Sequence, residues 1–161
     1  MPRKNASSVR KGVAAIIFRW RDEVPEFLVM HRTLRWTGWE TLKGGILPDE
    51  DEDSALLREI EEETGLGRGD VRIVGKIPGA SIRFIIPPRF REELGGFRSS
   101  AYKPFYLVEA SPNAKPNLKG DTEREHDDVR FVPHSKALHM LTYANTRSAL
   151  KKAVRFVSSR R

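Results

Sequence analysis

The chain has 161 residues, of which 39% are hydrophobic and 32% are charged, and it carries a formal net charge of +7 with no cysteine. This composition is typical of a folded globular protein, and the lack of cysteine excludes disulfides, thiolate metal sites and cysteine nucleophiles. The sequence contains no apolar run of membrane-spanning length and its basic N-terminus lacks a signal-peptide core, so we expect a cytoplasmic protein without membrane contact. The length predicts one domain over residues 1–161, with residues 1–10 as a flexible basic arm. The positive charge indicates either an anionic partner or a charged surface that serves general solubility.

Several short apolar runs rich in β-branched and aromatic residues predict strands. We place them at residues 12–20, 26–32, 71–77, 81–86, 101–110 and 129–132. Pro104 lies inside one of them, and a proline within a strand indicates either a sheet edge or a bulge. Residues 87–100 are predicted to form a loop with one helical turn, serving either as a lid or as a plain surface insertion.

Three longer helices are predicted. The central one begins near Asp53 or Ser54, either of which can cap it, and ends at Gly65, a residue suited to a left-handed C-terminal cap. Two more close the chain at residues 135–141 and 146–157. Strands first, one central helix, then more strands and terminal helices predict an α+β fold with a mixed sheet.

The central helix lies in an unusually acidic window. Residues 44–66 contain nine acidic side chains and one basic one, Arg58, inside a basic chain. Glu59, Glu62 and Glu63 stand at positions i, i+3 and i+4, so a helix places them on one face. Because Mg²⁺ takes oxygen ligands and binds phosphates, this face is a candidate metal site. The alternative is a solvated acidic helix face.

The spacing within this window favours the metal site. Gly44, five residues, Glu50, seven residues and then the run REIEEETGL match the Nudix box at every specified position, Gly-x5-Glu-x7-Arg-Glu-U-x-Glu-Glu-x-Gly-U. The chain therefore resembles the Nudix hydrolases. The resemblance implies an α/β/α sandwich with a mixed β-sheet between helices, and hydrolysis of a nucleoside diphosphate linked to another moiety, X.

The resemblance also implies roles for the acidic residues. Glu59 and Glu63 would be the principal ligands of Mg²⁺ (or Mn²⁺), and Glu62 a further ligand or the general base. Arg58 and Glu50 would orient them.

The loop before the helix would complete the site. Lys43 would offer its backbone carbonyl to the metal and its ammonium group to phosphate. Gly44 and Gly45 permit a tight loop whose backbone approaches the metal and substrate.

Glu125 is a further candidate, as ligand or base. The stretch EHDDVRF, residues 125–131, is similar to one found late in diadenosine tetraphosphate hydrolases and RNA 5′-pyrophosphohydrolases, where the glutamate reaches the metal site. The alternative is a solvated acidic turn before a strand. His126 is interpreted as a surface residue or one behind the ligands, because Mg²⁺ prefers oxygen.

The substrate contacts are less specific. Arg32, Arg83 and Lys103 are candidates for phosphate, and Phe131 is included as a substrate contact. Aromatic residues able to stack on a base are Phe84, Phe90, Tyr102, Phe105 and Phe131, although a core position is favoured for each.

The leading hypothesis is a Mg²⁺-dependent pyrophosphohydrolase acting on a dinucleoside polyphosphate or an RNA 5′-triphosphate end. A housekeeping nucleotide hydrolase, or a diphosphoinositol polyphosphate hydrolase, is the first alternative, since Pro48-Asp49-Glu50 resembles the Pro-Glu-Glu of the latter. The second is a Nudix domain that senses nucleotides or RNA without turnover, supported by the basic termini. The sequence leaves monomer and homodimer equally open.

Overall fold

A computed structural model describes residues 9–159. The eight strands are β1 (Val9–Arg21), β2 (Val24–Arg32), β3 (Gly38–Glu40), β4 (Leu42–Gly45), β5 (Val71–Lys76), β6 (Ile82–Ile85), β7 (Ser99–Ala110) and β8 (His126–Pro133). The four helices are α1 (Glu52–Thr64), α2 (Pro88–Arg91), α3 (His134–Met140) and α4 (Ala144–Ser158). Within these residues no helix is both long and apolar enough to cross a membrane.

The strands form one mixed sheet with β1 at its centre. The main order is β3-β2-β1-β7-β5, while β4 pairs with β1, β6 with β7 and β8 with β2. The β1–β7 pairing is parallel, and all other pairings are antiparallel. This mixed sheet confirms the predicted α+β class.

Both faces of the sheet are covered, because the buried residues of β1 alternate between two cores. Ala14, Ile16 and Phe18 belong to a core with residues of α3 and α4. Val13, Ala15 and Ile17 belong to a second core with residues of α1. A strand buried on both faces reads as a continuous apolar run, which is why the sequence marks β1 so clearly.

Two predictions about strands need correction. Pro104 does not lie at an edge: β7 is flanked by β1 on one side and by β5 and β6 on the other. The alternative prediction, a bulge, is confirmed by the shift in register opposite Gly12 and Ala14. The last strand begins at His126 rather than Val129, because the polar residues that precede Val129 pair with β2.

The start of α1 was also predicted wrongly. The helix begins at Glu52, and Asp51 is its N-cap, with its Oδ1 atom accepting from the backbone N–H of Ser54 at 2.7 Å. The predicted C-terminal cap is confirmed. Gly65 has φ 74°, and its N–H donates to the carbonyl of Glu61 at 2.9 Å. Both ends of the acidic helix are therefore capped.

Candidate active site

The three glutamates predicted to share a face of α1 have different environments. Glu63 is 8% exposed, and the side chain of Glu59 is 12% exposed. The side chain of Glu62, in contrast, is 54% exposed. Glu59 and Glu63 therefore face the protein interior, and Glu62 lies at the rim.

Arg58 ties this helix to the preceding loop. Its Nε and Nη2 atoms donate to the carboxylate of Glu50 at 2.8 and 2.9 Å, and Nη2 also donates to the carbonyl of Gly45 at 2.9 Å. Its Nη1 atom donates to Glu59 at 2.9 Å and to Glu62 at 3.2 Å. The hydrogen bonds from Arg58, with one from the Leu47 N–H, lower the pKa of Glu50 to about 2. One guanidinium group thus binds the loop, through Gly45 and Glu50, and two glutamates of the helix, Glu59 and Glu62.

Too little positive charge lies near the buried carboxyl groups of Glu59 and Glu63 to offset the effect of their burial. Burial raises the pKa of Glu59 to about 7, against the opposing effect of Arg58. Burial, and then repulsion from Glu59 and Glu125, raises the pKa of Glu63 well above its ordinary value. A cluster of carboxyl groups that hold protons near neutral pH is suited to a cation that would neutralise it.

The chemistry of these donors fits a hard divalent cation, although their positions are not those of a formed metal site. In residues 9–159, no three His, Cys, Asp or Glu side chains are grouped so that they could hold a metal ion. Arg58 donates to two of these carboxylates, Glu59 and Glu62. The carboxyl group of Glu59 packs on Gly44, where an added Cβ atom would lie 2.1 Å from its Cδ atom.

Two cavities adjoin the acidic residues. The first has a volume of about 240 Å³ and is lined by Arg10, Arg32, Arg35, Trp36, Lys43, Gly44, Gly45, Glu59, Glu63, Phe84, Glu93, Leu94, Ser100, Tyr102, Glu123 and Glu125. The second has a volume of about 450 Å³ and is lined by Arg10, Arg58, Glu59, Glu62, Glu63, Gly120, Asp121, Thr122, Glu123 and Glu125. The acidic residues that both share, Glu59, Glu63, Glu123 and Glu125, make them parts of one site.

The structure places Glu125 at this site. It lines both cavities, and its Oε2 atom lies 3.7 Å from Nη1 of Arg32. Its neighbour His126 is buried, 5% exposed. The Nε2 atom of His126 lies 2.8 Å from Oε1 of Glu40, so this histidine stands behind the cavity wall and the surface interpretation is corrected.

Two of the predicted cations, Arg32 and Lys43, line the first cavity and are buried beside Glu40. Nη1 of Arg32 donates to Oε1 of Glu40 at 3.1 Å, and Nζ of Lys43 lies 3.2 Å from Oε2. Burial alone would raise the pKa of Glu40, but Lys43, His126 and Arg32 lower it to about 2.

Aromatic rings form the remaining wall of this cavity. The ammonium group of Lys43 lies 5.2, 4.9 and 5.6 Å from the ring centroids of Trp36, Phe84 and Tyr102. The guanidinium group of Arg32 lies 4.4 Å from the Trp36 ring. The wall therefore combines fixed positive charge with partly exposed aromatic surface.

Other predicted contacts lie elsewhere. Arg83 and Lys103 are exposed and outside both cavities. Phe131 packs against the core beneath α1, with the guanidinium group of Arg19 4.2 Å from its ring centroid. Phe105 is a core residue, 1% exposed, and Phe90 lines neither cavity. Of the candidate stacking residues, the structure brings Phe84 and Tyr102 to the site.

Sequence reasoning missed several residues at or beside the site, among them Glu40, Trp36, Arg35, Arg10 and Glu123. A usable signal existed for Glu40, a lone acid in the run GWETLKGG, three positions before Lys43. Trp36 and Arg35 had no such signal, because they lie in a loop without periodicity. Arg10 was assigned to the flexible arm, yet it belongs to β1.

Comparisons with known proteins agree with this architecture. The family model described as "NUDIX domain" matches residues 9–153. An RNA pyrophosphohydrolase of Sulfurovum sp. is 32% identical over 141 residues, covering 87% of each chain, and one of Nitratiruptor sp. is 30% identical over 149 residues, covering 91% of this chain and 92% of that protein. The crystal structure of a C. elegans Ap4A hydrolase binary complex superposes with a TM-score of 0.73 at 21% identity, covering 94% and 99% of the two chains. With its complete box built into this fold, the chain belongs to the Nudix family and is a Nudix hydrolase.

Proposed function

We propose that this Nudix hydrolase is a Mg²⁺-dependent pyrophosphohydrolase whose substrate is an RNA 5′-triphosphate end or a dinucleoside polyphosphate. The observation that carries the proposal is the composition of one cavity. The carboxyl groups of Glu59, Glu63 and Glu125 line it together with the cations of Arg32 and Lys43, with aromatic rings alongside. A polyphosphate chain attached to a base has the matching set of charges and surfaces.

The acidic residues would hold the metal. Glu59 and Glu63 would be its main ligands, with Glu62, Glu125 and the backbone carbonyl of Lys43 as further candidates. When bound, Mg²⁺, or Mn²⁺ in its place, would supply Lewis acidity and lower the pKa of a coordinated water. The high pKa of the buried carboxyl groups supports this assignment, because a cation would relieve their repulsion.

The protein's own groups would then position and assist the attack. Either Glu62 or Glu125 would accept a proton from the water that attacks phosphorus in line with the leaving phosphate. Arg58 would orient the carboxylates from behind, and Arg32 and Lys43 would offset the negative charge that develops on the phosphates. No covalent enzyme intermediate is required.

The aromatic wall supports a substrate with a planar base. Trp36 and Phe84 are partly exposed and adjoin the phosphate-binding cations, and stacking on such rings is independent of base identity. An inositol ring offers no comparable π surface, which places diphosphoinositol polyphosphates second. The names of the Sulfurovum and Nitratiruptor relatives favour RNA over a dinucleotide. The cytoplasmic location stays a prediction from the sequence.

The deciding experiment measures phosphate or pyrophosphate release with Mg²⁺ from 5′-triphosphorylated RNA, diadenosine tetraphosphate and a diphosphoinositol polyphosphate. We expect turnover of RNA or the dinucleotide, and a loss of at least about a hundredfold in Glu63→Gln, which removes a buried ligand. Glu61→Gln is the matched control, because Glu61 is an exposed neighbour on the same helix.

Three results would count against the proposal. Binding without turnover of any substrate would favour a sensor domain, and preference for the inositol compound would favour the first alternative. Equal rates for Glu63→Gln and the wild type would remove the catalytic assignment. A steep loss of RNA binding with salt is expected if the RNA body contributes phosphate contacts.

A further inference from the structure

Glu40, the last residue of β3, is a buried carboxylate, 3% exposed, at the meeting point of four strands. Its Oε1 atom accepts from Nη1 of Arg32, on β2, at 3.1 Å, and lies 2.8 Å from Nε2 of His126, on β8. Its Oε2 atom lies 3.2 Å from Nζ of Lys43, on β4. A buried acid is tolerated only with such partners, and here each partner comes from a different strand.

The two cations that Glu40 holds both line the first cavity. The side chains of Arg32 and Lys43 are only 6% and 9% exposed, so neither can sample many positions. Arg32 is further fixed by its Nε donating to the carbonyl of Leu34 at 3.0 Å and by the Trp36 ring beneath it. The two cations thus share the carboxylate of Glu40 and both line the cavity.

Without Glu40, these cations would have other carboxylates within reach. Nη1 of Arg32 already lies 3.7 Å from Oε2 of Glu125, and Glu59 and Glu63 line the same cavity. Cations drawn onto those acids would compete with a metal ion and would no longer face the phosphates. Glu40 holds the two cations at 3.1 and 3.2 Å, closer than the 3.7 Å between Arg32 and Glu125.

We propose that Glu40 is a positioning residue, which holds Arg32 and Lys43 side by side at the cavity wall so that they bind the phosphates of the substrate. The proposal rests on the proposed function, since it assumes a polyphosphate substrate. It adds a residue outside the Nudix box to the working parts of this site. Its role is electrostatic placement, and it does not touch the substrate itself.

The test uses Glu40→Gln, which preserves shape and removes the charge, and measures binding of inorganic tripolyphosphate by calorimetry at a series of Mg²⁺ concentrations. We expect binding at least about tenfold weaker than in the wild type, the loss typical of a displaced charge-assisted contact. We also expect a higher Mg²⁺ concentration for half-maximal binding, because released cations compete for the acids. A purely structural role would lower the melting temperature without moving this Mg²⁺ requirement.

Two further variants keep the result interpretable. Glu109→Gln is the matched control: Glu109 pairs with Arg72 at 3.0 Å in an exposed cross-strand contact, and we expect unchanged binding. Glu40→Asp keeps the charge on a shorter side chain and should restore part of the affinity. If Glu40→Gln does not fold, Glu40→Asp takes its place as the test.

Wild-type binding by Glu40→Gln with an unshifted Mg²⁺ requirement would overturn the inference. An equal loss in Glu109→Gln, or no binding of tripolyphosphate by the wild type, would also overturn it. Because binding is measured without turnover, a failure here is separate from a failure of the hydrolysis panel. Tripolyphosphate binding that depends on Glu40, in a protein that hydrolyses nothing, would leave the inference standing and refute the proposed activity.

Discussion

Arg58 and Glu50 form a two-point ion pair, with Nε and Nη2 of the arginine donating to the two carboxylate oxygens at 2.8 and 2.9 Å. Lysine cannot reproduce this pair, because an ammonium group is a single point of charge without the planar fork. We therefore expect Arg58→Lys to lower the hydrolysis rate by about 10- to 100-fold, the usual cost of losing a group that orients metal ligands. Steady-state kinetics across a Mg²⁺ titration measures the effect. Arg68→Lys, an exposed change just after the helix, should behave as the wild type, and wild-type kinetics in Arg58→Lys would show that the fork is dispensable.

Gly44→Ala should damage the site more than the fold. The new Cβ atom would lie 2.1 Å from Cδ of Glu59, and since that is a side-chain atom the carboxylate would be displaced while the backbone stays in place. We expect weaker Mg²⁺ binding and slower hydrolysis with a nearly unchanged melting temperature. Gly75→Ala is the matched control, because nothing lies within 4 Å of its added Cβ. Full activity in Gly44→Ala would contradict the placement of Glu59.

The stability of the metal-free protein should fall as the pH rises from about 5 to about 7.5. Glu59 has a pKa of about 7 in the folded protein against 4.5 ordinarily, so the unfolded chain loses its proton first and unfolding becomes more favourable over this interval. Burial also raises the pKa of Glu63 well above its ordinary value, which acts in the same direction. Glu40 and Glu50, with pKa values of about 2, contribute only at lower pH.

Melting temperatures across this pH range would measure that slope, with roughly 2–4 °C lost for each kcal/mol. Glu59→Gln should flatten the slope, and added Mg²⁺ should restore stability at pH 7.5. The prediction fails if the metal-free wild type becomes more stable over the same interval.

Gly65→Ala should destabilise the protein by about 1–2 kcal/mol, because φ at this position is 74° and an L-residue is strained there. The added Cβ would also lie 2.4 Å from Nδ2 of Asn117. Urea unfolding of this variant and of Gly67→Ala would measure the difference. Gly67 has no such strain, and the nearest atom to its added Cβ is 3.7 Å away, so a comparable loss in both variants would refute the cap argument.

Glu93→Gln should loosen the segment over the first cavity. Nη2 of Arg35 donates to Oε1 of Glu93 at 2.8 Å, which joins the loop after β2 to the segment that contains α2. Glu93 is half exposed, so the pair contributes at most about 1 kcal/mol to overall stability. We expect faster hydrogen exchange in residues 87–98 at an unchanged melting temperature. Unchanged exchange there would argue for a plain surface insertion instead of a lid.

The parts of this fold that could be predicted are those whose pattern is local. The spacing of Gly44, Glu50 and Arg58 is a local pattern, and so are the apolar run of β1 and the glycine that ends α1. The beginning of β8 was missed because His126 pairs with Arg32, a partner remote in sequence. A polar strand end looks like a turn until that partner is known.

The site was predictable to the same extent. Glu59 and Glu63 follow from the motif, whereas Glu40 acquires its role from side chains on three other strands. Arg83 and Lys103 show the opposite case, since their charge alone made them candidates and the fold directs them to solvent. Pairings between distant segments are therefore what sequence reasoning lacked.

The parallel pairing of β1 and β7 sets the order in which the protein can assemble. Val9 lies opposite Ser99 and Phe18 opposite Glu109, so the centre of the sheet joins segments far apart in the chain. Such contacts require a long loop to close and slow the folding of a domain. Until β7 has been synthesised, β1 has no parallel neighbour. The strand β4, which contains Lys43 and Gly44, then pairs with a β1 whose other side is unpaired. We therefore expect α1 to pack against the sheet late in synthesis, well after residues 44–66 have left the ribosome.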